Sequence, residues 1–535
     1  MNGKEENILK NSLGVSLATF ASRLLGLVRV KLEAYALGGG TVASIWFMAL
    51  MIPNLLRRLL GEGALGSALT PVIADTEKNG GIPQARLQLA QVLSMLGALL
   101  ALIVVIAALG AWLFGTYASA HGYPLRITGV CELLPLMLPY TFFICLTGVI
   151  TAVLNYAGMF IRPALTSLLF NLCMIFGMAS GVYLELPEKD MLALLAVLLP
   201  AGGMVQFFLM LWMLKLCGRF PLFSRETFSS LAVTWKILKI AAPGIASYGV
   251  LQVSFLIDRL LAVSLGDQAV PALSFVDRII DLPIGLFAVA MGSVLMASMT
   301  RAAAAADWDA MREQLNFSMR HVWFVCAPMA AGVIFFHPEI LRVLCLGGKY
   351  TENDLNAARL VAVFYGMGIP LFCSMKIILP AFYSRKDMKR PFYVSLAAIS
   401  CNIVLNLILM IPLEQGGLAL ATVISSAVNN TLLLTILAKE GFKIKKRTVF
   451  SALRSVVIAL ISGGGTWLLL PFIRRVCSGI SGMGGNICIL GAVIIIFSTV
   501  YFIFTVLCSA PELAEFINIL RRKKSPKKEK ISAGC

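Results

Sequence analysis

The chain has 535 residues, of which 59% are hydrophobic and 13% charged, and its formal net charge is +18. Soluble domains carry about 25% charged residues, so the composition excludes a soluble globular protein and marks an integral membrane protein. The surplus Lys and Arg sit in short polar segments, which reads as topology and contact with anionic phospholipids rather than binding of nucleic acid.

Hydropathy places about fourteen spans along the chain. The first, 8–37, carries Arg23 and Arg29; the second, 45–74, carries Arg57 and Arg58. The first run is too long and too charged for a cleaved signal segment and reads as a retained helix. A cation at the centre of a membrane helix costs roughly 2.5–3.5 kcal/mol, and such residues face a bundle interior or a wet cavity rather than lipid. Several arginines around one cavity point to an anionic substrate. Arg58 and Glu62 are four residues apart and can pair along the helix. Arg57 points about 100° away from Arg58. Pro53 and the Gly61/Gly63 pair predict a kink or break there.

Spans three to six follow at 87–115, 128–154, 163–184 and 190–216. Runs such as Leu93–Phe114 lack the alternation of β-barrel strands. Span seven, 236–265, holds Asp258-Arg259, and span eight, 270–300, holds Asp277-Arg278-Ile279-Ile280-Asp281-Leu282-Pro283. Arg278 can reach Asp281 at three residues' spacing. Spans nine to fourteen fall at 316–336, 354–383, 391–412, 417–438, 449–473 and 485–509. Asp258, Arg259 and Lys376 read as members of interhelical ion pairs. Asn402 and Asn406, one turn apart, read as helix packing ahead of a cation site.

The Lys and Arg bias puts both termini on the cytoplasmic side. Arg162-Pro163-Ala164-Leu165-Thr166-Ser167-Leu168 and Arg390-Pro391-Phe392-Tyr393-Val394-Ser395-Leu396 share the pattern Arg-Pro-x-x-x-Ser-Leu and open spans five and eleven. Six spans separate them, as a parallel pair of six-helix lobes requires. The expected division is therefore 1–217 and 218–440 for the lobes, 441–512 for two further helices, and 513–535 for a basic cytoplasmic tail. The fold class is all-α polytopic, with the two lobes in a pseudo-twofold arrangement.

Enzymatic chemistry is poorly supplied. The three histidines are scattered without ligand spacing, no Walker A motif appears, and no metal cluster is indicated. The twelve cysteines form no Cys-x-x-Cys pair and mostly sit inside apolar runs. They read as small core residues, not as a disulfide framework.

Ser22-Arg23-Leu24-Leu25-Gly26-Leu27-Val28-Arg29, Gly38-Gly39-Gly40, Pro53-Asn54-Leu55-Leu56-Arg57-Arg58-Leu59 and Glu62-Gly63-Ala64 together resemble the MurJ (MviN) family of lipid II flippases. Asp277-Arg278 with Pro283 and Gly285, and Phe382-Tyr383-Ser384-Arg385 with Asp387 and Pro391, extend the resemblance over the chain. It implies a V-shaped cavity between two six-helix lobes and a lipid-tail groove on two C-terminal helices. It also implies substrate-binding arginines, which fall on Arg23, Arg29, Arg57 and Arg278, with Asn54, Arg58, Glu62 and Asp277 in support. Two positions depart from the family pattern: Val30 and Ser44 stand where acids are usual, and Glu33 is placed to compensate for the first.

The resulting expectation is a bacterial inner-membrane flippase that moves lipid II by alternating access, not an enzyme. It would use no cofactor and would take its drive from the membrane potential or an ion gradient. Its partners would be lipid II, anionic phospholipids and the cell-wall synthesis machinery. The alternatives are a flippase for another polyprenyl-linked glycan, a cation-coupled multidrug exporter, or a non-transporting scaffold.

Overall fold

The computed structural model describes residues 21–515 apart from 62–63, 160, 225–226 and 228–230. The described residues are overwhelmingly helical, and ten helices are long and apolar enough to cross a membrane. In chain order they are α1 (21–37), α2 (Thr41–Leu56), α3 (Ala64–Ala120), α4 (Leu125–Met137), α5 (Pro139–Tyr156), α6 (Ile161–Tyr183) and α7 (Glu188–Leu216). There follow α8 (Leu231–Ser264), α9 (Ala269–Pro283), α10 (Val289–Ala304), α11 (Trp308–Leu344), α12 (Glu352–Tyr383), α13 (Lys389–Lys439), α14 (Lys446–Val476) and α15 (Gly482–Leu507). The protein is thus an all-α polytopic membrane protein.

Several predicted spans reappear within a few residues, for example 190–216 as α7 and 354–383 as α12. Others are joined. Spans two and three share the continuous α3, which bends at Gly81 with a left-handed φ of 73°. Spans eleven and twelve share α13, which bends at Glu414. Hydropathy sees the apolar stretches on each side and not the hydrogen-bonded connection between them. Both Arg-Pro motifs open helices, α6 and α13, with proline in the first turn, where its missing N–H costs nothing.

The helices group into two compact units that do not follow chain order. The first comprises Met1–Arg278, Leu344–Val361 and Ile399–Ala421; the second comprises Ile279–Val343, Ala362–Ala398 and Thr422–Cys535. In the first unit, Leu89, Leu93 and Leu96 of α3, Ile150 and Val153 of α5, and Met210 and Met213 of α7 form one buried cluster. The outer face of α3 presents Leu102, Ile106, Leu109 and Leu113 exposed. Apolar side chains turned outward along a long helix fit a hydrocarbon surround.

In the second unit, the last two helices pack on each other through Ala459, Leu470 and Ile473 of α14 and Val493 and Phe497 of α15. The chain beyond α15 is pinned by a carboxylate. Glu512 is fully buried and is met by Arg320, Arg454 and the Ser451 hydroxyl. Burial pushes the Glu512 carboxyl up, but the Ser451 hydrogen bond and the two arginines outweigh it and hold the group below the usual carboxylate range.

Candidate functional site

Within the first unit, a cavity of about 890 Å³ is lined by three arginines, Arg29, Arg57 and Arg278, and one acid, Glu33. The three guanidinium groups are brought there by different local devices. Arg29 lies on α1, whose end is fixed by Gly38. That residue adopts a left-handed φ of 73°, and a Cβ there would stand 2.8 Å from the Lys349 carbonyl oxygen. Only glycine fits so close a backbone approach.

Arg57 begins a π-helical turn, Arg57–Gly61, that directly continues α2. Pro53 has no N–H to give to the preceding turn, so the ladder is already weakened where the wider turn starts. Where Pro53 and the glycines predict a kink or break, the described residues show a π-helical turn that continues the helix. Arg57 Nε lies 3.5 Å from Asn54 Oδ1, and Asn54 also lines the cavity.

Arg278 sits near the end of α9. It reaches across to Glu33 and stands 5.2 Å over the Phe47 ring. Glu33 is only 1% exposed and also faces Arg29 Nε at 3.7 Å. One buried carboxylate therefore serves two arginines. Val30 and Ser44 are both buried. Among the described residues of the lining, three guanidinium groups stand against one carboxylate.

The rest of the lining supplies neutral hydrogen-bonding groups. Asn155, Ser167, Asn171 and Gln206 line the cavity with Thr147 and Thr151. Asn171 Oδ1 accepts a hydrogen bond from Arg29 Nη1 at 3.1 Å, and its amide donates to the Ser22 carbonyl at 3.2 Å. Gln206 donates to Thr166 Oγ1 at 3.1 Å. Gly203 of α7 lets the Tyr140 ring close in, since a Cβ there would lie 3.0 Å from it. Tyr140 is itself part of the wall. These polar residues of spans four to six were missed in the sequence. The available signal was their presence as amides and hydroxyls inside otherwise apolar runs.

The other anticipated residues lie elsewhere. Arg23 is on α1, two turns from Arg29, and is not part of the lining; its neighbour Ser22 contacts Ser167 and Asn171. Arg58 donates to Gln252 Oε1 at 3.2 Å and lies 5.6 Å over the Phe255 ring, away from the cavity. Glu62, its expected partner, lies outside the described residues. Asp277 pairs with Arg259 and so acts as a helix-to-helix tie.

The expected interhelical pairing therefore holds for Arg259. Asp258 accepts a hydrogen bond from Asn406 at 2.5 Å, and Asn406 also donates to Asn402 at 3.1 Å. This buried knot joins α8 to α13. Lys376 departs from expectation: it is exposed, with no ion pair to a described residue. No group of three or more potential metal ligands occurs among the described residues.

A cavity of this size with three guanidinium groups and many neutral donors suits a large anion bearing hydroxyl and amide groups. Guanidinium binds phosphate oxygens through two parallel hydrogen bonds and stays ionised when desolvated.

The family model described as "Lipid II flippase MurJ" matches residues 33–478. The probable lipid II flippase MurJ of Vibrio cholerae serotype O1 is 31% identical over 496 residues, covering 89% of this chain and 92% of the relative. The probable lipid II flippase MurJ of Rhizobium tropici is 27% identical over 530 residues, 97% of each chain. Among solved structures, a lipid II flippase MurJ in an inward closed conformation superposes with a TM-score of 0.74 at 23% identity, over 92% of this chain and 98% of that one. An inward-facing multidrug resistance MATE family transporter of the MOP superfamily superposes with a TM-score of 0.61 at 15% identity, over 81% and 99%. The long family match and the level of identity to the Vibrio relative together establish that this chain belongs to the lipid II flippase MurJ family.

Proposed function

We propose that the protein moves lipid II from the cytoplasmic to the periplasmic leaflet of the bacterial inner membrane, as a transporter and not an enzyme. The observation that carries the reading is the convergence of Arg29, Arg57 and Arg278 on one cavity, with Glu33 the one acid among the described residues of its lining. A pyrophosphate diester carries one negative charge on each phosphate and suits such a cluster of guanidinium groups. Asn54, Asn155, Asn171 and Gln206 are placed to meet sugar and peptide groups.

Arg23 has its role beside the wall, next to the Ser22 contact with α6, and Arg58 and Asp277 brace the arginine-bearing helices. The lobes 1–217 and 218–440 alternate access to the headgroup, while the helices of 441–512 carry the lipid tail. Both termini, including the basic tail from 513 to 535, face the cytoplasm beside anionic phospholipid. Drive comes from the membrane potential or an ion gradient; one charge moved through 100 mV is worth about 2.3 kcal/mol. The cell-wall synthesis machinery is the partner that consumes the delivered precursor.

The reading is tested with the purified chain in lipid nanodiscs. Undecaprenyl-pyrophosphate bearing the disaccharide-peptide is compared with undecaprenyl monophosphate, which has the same tail. The first should bind at least about tenfold tighter, a difference of ~1.4 kcal/mol. Equal binding would show that the tail and one phosphate suffice and that the disaccharide-peptide pyrophosphate headgroup is not recognised. A stronger preference for a different pyrophosphate-linked glycan would favour that glycan as cargo.

A further inference from the structure

Two cysteines meet at the turn that joins the last two helices. Cys477 follows α14 directly and opens the short 3-10 turn Cys477–Gly479; Cys488 lies in the second turn of α15. Their Sγ atoms are 3.5 Å apart. Ten residues separate them in the chain, and the helical hairpin brings them together. Cys477 is buried and Cys488 half-buried, within the apolar cluster that holds α14 against α15. The family match ends at residue 478, so Cys488 falls outside the region that the family model describes.

We propose that Cys477 and Cys488 form a disulfide that staples the outer end of this hairpin. The inference rests on the proposed topology. With cytoplasmic termini and an even number of spans, the 477–482 turn faces the periplasm, where disulfides form and persist. The depth fits as well. Cys488 is six residues into α15, about 9 Å below its start, and Cys477 lies beyond Arg474 and Arg475, the polar end of α14. The pair thus sits at the outer end of the hairpin, with Cys477 beyond the predicted span 449–473 and Cys488 within the first turn of the predicted span 485–509.

The oxidant is a disulfide-bearing thiol oxidoreductase acting as the hairpin emerges. The Cys488 thiol loses its proton and the thiolate attacks one sulfur of the oxidant's disulfide, releasing the other as a thiolate. The Cys477 thiolate then attacks the Cys488 sulfur of the mixed disulfide and expels the second oxidant sulfur. One S–S bond is broken and one formed. Two electrons pass to the oxidant, which ends as a dithiol with the two protons.

A second cysteine pair supplies an internal control. Cys326 and Cys373 are fully buried and in mutual hydrogen-bonding contact, in the middle of α11 and α12. No soluble oxidant reaches that depth, so this pair should stay reduced.

The test uses the full chain in growing cells. Acid quenching freezes thiol exchange, and free thiols are blocked with a light maleimide in detergent. The protein is then reduced, labelled with heavy maleimide and read by mass spectrometry. Cys477 and Cys488 should carry the heavy label, Cys326 and Cys373 the light one. In Cys477→Ser, Cys488 should switch to light.

A cysteine-free chain carrying Ser481→Cys is exposed in parallel to an impermeant thiol reagent, because Ser481 lies exposed in the same turn. If Ser481→Cys is labelled from outside while Cys477 and Cys488 carry light label, the disulfide is overturned and the topology stands. If Ser481→Cys is not labelled, the topology fails and takes the proposal with it.

Discussion

Arg57→Ala is expected to abolish growth of a flippase-depleted strain while the protein persists in the membrane near its normal level. Arg57 lines the cavity from the start of a π-helical turn, and its interactions within the protein include a long contact to Asn54. Arg57 faces an open cavity, so its truncation leaves no sealed void in the packed core and folding has little to lose. The substrate loses a planar fork for phosphate. Arg57→Lys should recover only part of the growth, because lysine presents a point charge without bidentate geometry. Quantitative blotting against growth checks the prediction. Loss of function through loss of protein would make Arg57 structural, and normal growth of the alanine variant would move the anion site elsewhere.

Glu33→Gln should fail in the opposite way. Glu33 is buried and faces both Arg29 and Arg278. Glutamine keeps the shape and leaves two guanidinium groups packed together without their carboxylate. Removing one partner of a buried pair costs about 3–5 kcal/mol, so the variant should melt at a clearly lower temperature in detergent and be depleted from the membrane. Adding Arg278→Gln should restore part of the stability, since the surplus charge is gone, but should not restore transport. Such a non-additive pair is the signature of direct coupling. If Glu33→Gln melts like the parent chain, the carboxylate does not balance the arginines.

The contrast between these residues shows what could be read from the chain. Arg57 was legible because three local signals coincide: an arginine in an apolar run, Pro53 one turn before it, and glycines after it. Each acts within a few residues, and the observed π-helical turn is their sum. The partner of Arg278 was not legible. Spacing offered Asp281 three residues on, whereas the structure carries the side chain to Glu33, 245 residues away. A helical pair at three or four residues' spacing contributes only about 0.2–0.5 kcal/mol, which tertiary contacts readily override.

The fold class was legible for a different reason. A bilayer demands long apolar helices whatever their partners, and that demand is written in composition. The bends at Gly81 and Glu414 depend on single backbone conformations and leave no hydropathic trace. Cys477 and Cys488 escaped notice because no motif links positions eleven apart across a turn; only the hairpin geometry does.

The central claim is that this chain carries the precursor headgroup across the membrane on its arginine-lined cavity. The most direct measurement depletes the protein in its native host and follows lipid II in the two leaflets, using a membrane-impermeant amine-reactive label on spheroplasts. Depletion should raise total lipid II while the fraction labelled from outside falls. Wild-type protein should restore that fraction, and Arg57→Ala, present at normal level, should not. An outer-leaflet fraction that stays constant after the protein has gone would contradict the account.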